Sequence, residues 1–91
     1  MVIRYVLLYE SAPDVLELAP LHAEAHGAWI DAFRERGKPL MICRFSDPRD
    51  GAMSVFSTRE AAAEFAHGDP FVTTGVVSRW SVREWRELLG G

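Results

Sequence analysis

The residues of this sequence best suited to chemistry are His22 and His26, two imidazoles one helical turn apart. Imidazole is the side chain whose ordinary proton affinity lies nearest neutral pH, so each ring can give or take a proton under mild conditions. At about 100° per residue, Leu18, Leu21, Ala25, Ala28, Trp29, Ala32 and Phe33 gather on one face of a helix running from Pro20 to Gly37, and both histidines fall inside that arc. Asp31, Arg34 and Glu35 face elsewhere. The helix is therefore expected to turn two titratable rings toward a core or a pocket. Their i, i+4 spacing is also that of a helical zinc pair, but HAEAH is not HExxH, because Glu24 stands at the third position and points away.

Other reactive types offer less. Cys43 alternates with Met41 and Phe45 along a strand, opposite Leu40, Ile42 and Arg44, and is expected to pack as a small hydrophobe. Arg79 and Arg83 share a strand face with Ser81, where they would keep an edge strand soluble or bind an anionic substrate. His67 follows the polar side of a second helix and is expected in solvent.

The elements that must position these groups can be read in order. Val2 to Tyr9 is rich in Val, Ile, Leu and Tyr and ends before Ser11, Pro13 and Asp14, so it reads as a strand that is apolar on both faces. Ser11 to Ala19 reads as a connection holding a helical turn capped by Asp14. Pro20 suits the first position of the long helix, and Gly37 suits its end, with Pro39 preventing resumption. Leu40 to Phe45 is a second strand, Asp47 to Gly51 a turn, and Ala52 to Phe56 a third strand. Ser57 and Glu60 form a capping-box pattern that opens a second helix with Ala62, Phe65 and Ala66 inward. Gly68-Asp69-Pro70 ends that helix. Val76 to Val82 is a fourth strand, followed by a tail from Arg83.

With 91 residues the chain makes one domain, residues 1–91, at a size where a monomer buries only about 60 to 65% of its unfolded surface. A formal net charge of −3 without a basic run argues against nucleic acid and anionic membrane surfaces as partners. No stretch approaches the ~20 apolar residues of a membrane span. A single cysteine and an N-terminal apolar run too short for a signal peptide point to the cytoplasm.

The order β-α-β-β-α-β is a split βαβ arrangement of ferredoxin-like type, in the α+β class: an antiparallel four-stranded sheet with two helices on one face. Two helices cover one face only. The apolar second face of the first strand then predicts a homodimer with the two sheets face to face.

The chain resembles the YCII-related (YciI-like) family, whose fold is a dimeric α+β barrel similar to muconolactone isomerase. The resemblance rests on a histidine ahead of the glycine that closes the first helix, here His26 and Gly37. It also rests on a late Asp-Pro-Phe motif leading to a Gly-Val strand entry, here Asp69-Pro70-Phe71 and Gly75-Val76-Val77. It implies an active site of His26 and Asp69, and an association with breakdown of ring compounds, including elimination of chloride from chlorinated aromatics. Two departures stand out: many members have Gly-Pro where this chain has Cys43-Arg44, and many have Arg where it has Ala23. Asp69 would be the third ligand of a metal site with His22 and His26. Related barrels bind haem through one histidine, although nothing in this chain specifies it.

A histidine held by a carboxylate is the smallest general base that works near neutral pH, since the anion orients one ring nitrogen and frees the other. Such a pair suits proton removal beside a carbonyl or phenol, the first step of both isomerisation and elimination. His26 is then expected as base or acid, Asp69 as its orienter, and His22 as a second donor or substrate partner. Trp29 and Phe33, with Tyr5 or Tyr9 from the first strand, are expected to form an apolar slot for a flat ring. The expectation is a cofactor-free isomerase or lyase acting on a small cyclic compound, with no metal. The alternative is a non-catalytic dimer that binds a small ligand or regulates a partner. Asp69 also has a plainer role open to it, as the cap of a helical turn over Phe71 to Thr74.

Overall fold

The β-branched and aromatic run near the N-terminus forms the strand on which the sheet is built. In a computed structural model, which describes residues 2–36 and 39–88, β1 spans Ile3–Ser11, α1 Val15–Glu35, β2 Pro39–Arg44 and β3 Ala52–Phe56. They are followed by α2 Arg59–Gly68, the short α3 Pro70–Thr73 and β4 Val77–Arg86. The strands make one antiparallel four-stranded sheet in the order β2-β3-β1-β4, so β1 and β3 are central and β2 and β4 are edges. This is the α+β, ferredoxin-like arrangement expected from the element order.

Alternation in β1 separates two faces. Leu7 and Tyr9 point to the helices, where they join Phe33, Phe56, Phe65, Ala61, Ala62, Ala66 and Val77 in the core. The three phenylalanines meet edge-on or tilted with ring centroids 5.3 to 6.1 Å apart, a favourable geometry worth about 0.5–1.5 kcal/mol per pair beyond burial. On the other face Val6 and Val55 lie opposite one another in register and are buried, with Leu8 and Met53 half-buried beside them. Met41 and Trp85 share that face by register and are exposed.

Several expectations are corrected. The first helix begins at Val15, with Pro20 inside it, and Asp14 stands at its N-cap without a side-chain hydrogen bond. Pro20 costs one helical bond to the Leu16 carbonyl, which the packing of a 21-residue helix outweighs. The inward face is also different. Leu21 is 73% exposed and Ala25, Ala28 and Ala32 face solvent, whereas Val15 and Phe33 are buried and His22, His26, Trp29 and Ile30 are half-buried. The buried stripe is rotated by roughly 80° from the arc of small apolar residues. Alanine is a good helix former at exposed positions, so its pattern misled the choice of face. The expected helix end at Gly37 lies outside the described residues.

At the second helix Thr58, not Ser57, is the N-cap, its hydroxyl accepting from Ala61 N–H at 3.1 Å. Glu60 falls at the second helical position and no capping box forms. β4 runs to Arg86 because its later residues pair with the start of β1, from Ile3↔Arg86 inward. Cys43 is exposed, because β2 is an edge strand. Gly51, at φ 88°, sits against β1, where an added Cβ would come within 2.0 Å of the Tyr9 carbonyl oxygen. No helix among the described residues is long and apolar enough to cross a membrane.

Candidate active site

The site is built where α2 gives way to α3. Asp69 takes an extended conformation (φ −69°, ψ 121°), as a residue before proline tends to, and Pro70 starts the next turn. The Asp69 carboxylate is fully buried and accepts from three directions. Oδ1 caps α3 by accepting from Phe71 N–H (2.9 Å) and lies 2.7 Å from His26 Nδ1; Oδ2 accepts from the Tyr9 hydroxyl at 2.7 Å. A carboxylate accepts and does not donate, so in the neutral ring Nδ1 carries the hydrogen and Nε2 holds the free lone pair. Capping and holding the imidazole thus coexist on one side chain.

Each partner is fixed in turn. Phe71 stacks on the His26 ring at 3.8 Å between centroids and 4° between planes, so the residue that Asp69 caps also sets the imidazole plane. Trp29 Nε1–H donates to the Phe65 carbonyl (3.0 Å), which also accepts from Asp69 N–H (3.1 Å). The Trp29 ring passes over Gly68, where an added Cβ would lie 2.3 Å from its Cη2. Gly68 therefore lets α1 and α2 approach closely enough for His26 to reach Asp69. Burial, then the Asp69 charge and the hydrogen bond to it, push the Tyr9 phenol well above its ordinary value. It stays a donor and cannot serve as a base.

His26, with its side chain 21% exposed, opens onto a cavity of about 580 Å³ between α1 and the sheet. The lining is mostly apolar: Val15, Leu16, Ala19, Ile30, Ile42, Phe71 and Val76 among others, with Tyr9, Ser11, Ser54 and Arg44 as polar members beside His26. At its mouth, Pro48 sits in a turn where hydrogen bonds from the side chain and backbone of Arg49 lower the Asp47 carboxyl to about 2.

The structure brings His26 and Asp69 together and adds Tyr9, which sequence considered only as a wall of the slot. Its signal was its place on the same strand face as Tyr5 and Leu7, at the end nearest the α2–α3 junction. The other expected binding residues lie elsewhere. Phe33 is in the core, Trp29 braces the α1–α2 contact, and Tyr5 lies under the Arg59 guanidinium, 5.3 Å from ring centroid to Cζ. His22 is half-buried on α1 and does not line the cavity. These four follow from the rotated helix face and from the position of Tyr5 farther along β1. No group of three or more His, Cys, Asp or Glu among the described residues could hold a metal, so His22, His26 and Asp69 do not form a ligand set. Arg79 is paired with Glu10 at 3.0 Å on the open sheet face.

Residues 3–86 match the YCII-related domain family. The chain belongs to that family. A Bacillus subtilis (strain 168) relative, the uncharacterized protein YjpA, is 32% identical over 66 residues, 71% of this chain and 76% of that protein. Among solved structures, a 5-chloro-2-hydroxyhydroquinone dehydrochlorinase (TftG) from Burkholderia phenoliruptrix AC1100, in complex with 2,5-dihydroxybenzoquinone, superposes with a TM-score of 0.72. That match covers 91% of this chain and 93% of the dehydrochlorinase at 17% identity, and it establishes a shared fold.

Proposed function

We propose that this YCII-related protein is a cofactor-free acid–base enzyme, of isomerase or lyase type, acting on a small cyclic compound. The observation that carries the reading is the orientation of His26: Nδ1 is tied to a buried carboxylate, while the ring opens onto an apolar cavity large enough for a substituted ring. Nε2 would take a proton from a hydroxyl, or from a carbon beside a carbonyl. Asp69 would hold the imidazole and stabilise the cation formed, and Tyr9 would hold Asp69. The electron pair left on the substrate can recover a proton at another atom, which is isomerisation. It can instead expel a leaving group such as chloride, so that HCl is lost with no net oxidation. The ring compound bound by the structurally similar dehydrochlorinase makes elimination from a hydroxylated ring the first chemistry to try.

We also propose that the protein is a homodimer through the open sheet face, where Val6, Leu8, Met53 and Val55 form an apolar centre flanked by the exposed Met41 and Trp85.

The test is to incubate the protein with chlorinated hydroxyhydroquinones and with unsaturated lactones in D₂O, following chloride release and deuterium uptake. His26→Asn should reduce turnover about 10²-fold or more while affinity stays within about tenfold. Tight binding of such rings with no turnover by the parent protein would instead favour a non-catalytic ligand-binding dimer.

A further inference from the structure

The cavity beside His26 also holds a charged group, carried on the edge strand β2. Arg44 is the last residue of β2 and lines the cavity together with Ile42. No Asp or Glu lines it among the described residues, so Arg44 is its only permanently charged side chain, in a chain of formal net charge −3. Arg4, Arg34, Arg36, Arg49, Arg79 and Arg86 are each paired with a carboxylate, whereas Arg44, Arg59 and Arg83 make no ion pair among the described residues, and of these three only Arg44 lines the cavity.

Register fixes the spacing of the strands that carry Arg44 and Tyr9. Arg44 lies opposite Ala52, and Ala52 lies opposite Tyr9, on one line across β2, β3 and β1. Two strand spacings separate the Arg44 and Tyr9 backbones by about 10 Å. Tyr9 holds the carboxylate to which His26 is tied. A six-membered ring with an anionic group on one side and an ionisable oxygen on the other is short enough to lie within that span, in a cavity of about 580 Å³. Between them the floor is Ala52 and Ser54, small enough for a ring to lie flat.

Building on the acid–base reading above, we propose that the substrate is a hydroxylated ring acid whose carboxylate is anchored by Arg44 while its hydroxyl faces His26 Nε2. A guanidinium at the rim of an apolar cavity binds a carboxylate more strongly than it would in open water, because few competing waters fit beside the ring.

The probes are 4-hydroxybenzoate and its neutral counterpart 4-hydroxybenzamide, titrated by calorimetry into the parent, Arg44→Gln and Arg44→Lys. Arg44 is exposed on an edge strand, so both variants should keep the parent's circular dichroism. The acid should bind the parent at least about tenfold more tightly than the amide. Arg44→Gln should remove that preference without weakening the amide, and Arg44→Lys should restore part of it. Equal affinity for acid and amide, no measurable binding of the acid, or a preference that survives Arg44→Gln would each overturn the proposal. Its fate is separable from that of the acid–base reading. Arg44-dependent binding without His26-dependent turnover of any hydroxylated ring retains the anchor and removes the enzyme. His26-dependent turnover indifferent to Arg44→Gln does the reverse.

Discussion

Tyr9 and Asp69 are sixty residues apart in sequence, and the Tyr9 hydroxyl donates to Asp69 Oδ2 at 2.7 Å with both side chains buried. Together with His26 and the Phe71 backbone amide, this contact leaves neither oxygen of the buried carboxylate without a donor. The central strand, the first helix and the α2–α3 junction thus converge on one side chain.

Tyr9→Phe should leave Oδ2 of Asp69 without its donor in a buried site, costing about 1–3 kcal/mol of stability. The pH dependence has a definite sign. The folded protein holds the Tyr9 phenol proton well above its ordinary value, whereas the unfolded chain releases it near 10. The folded state then binds more protons, so the stability that neutral Tyr9 contributes is complete below about pH 10 and falls as pH rises further. Denaturant titrations at pH 8 and pH 11 should show a smaller loss for Tyr9→Phe than for the parent. Equal losses would mean that Tyr9 is not held in this way.

Gly68→Ala should drive a methyl group into the Trp29 ring, destabilising the protein by about 1–3 kcal/mol and lowering turnover through displacement of the adjacent Asp69. The clash is specific to the indole. On a Trp29→Leu background the same substitution should cost markedly less, and a double-mutant cycle read by thermal melting checks the coupling. Additive effects would rule out the close approach as the reason for glycine.

The proposed dimer can be broken where the monomer is least disturbed. Trp85→Glu and Met41→Glu place charge on exposed positions of the open sheet face, 41% and 55% accessible in the isolated chain. In sedimentation velocity the parent should run as a dimer and the double variant as a folded monomer. A monomeric parent at micromolar concentration would show that this face is left open.

Much of the architecture was legible because β1 and β3 carry dense β-formers and because glycine and proline punctuate the chain. The third strand, Ala52 to Phe56, matches its expected bounds. Helix orientation was harder to read, since Ala25, Ala28 and Ala32 mimic a buried stripe while Val15, ahead of Pro20, anchors the real one. The His26–Asp69 pair came through motif resemblance, because a contact across 43 residues has no local periodic signature. The Tyr9–Asp69 contact and the place of Arg44 in the cavity wall escaped assignment for the same reason: only strand register brings them into line with the site. The aromatic slot of Trp29 and Phe33 was drawn from residue type, and the structure spends those rings on packing α1 against α2 and the core.

The proposed proton transfer depends on the free nitrogen of His26. Long-range ¹H–¹⁵N correlation of the imidazoles, at a pH about two units above the ordinary histidine value, reports which nitrogen carries the hydrogen in the neutral ring. The parent should show His26 protonated at Nδ1 with Nε2 bare, and Asp69→Asn should abolish that preference while the signals of exposed His67 stay unchanged. His26 protonated at Nε2 in the parent would leave no base facing the cavity, and the proposed proton transfer would be contradicted.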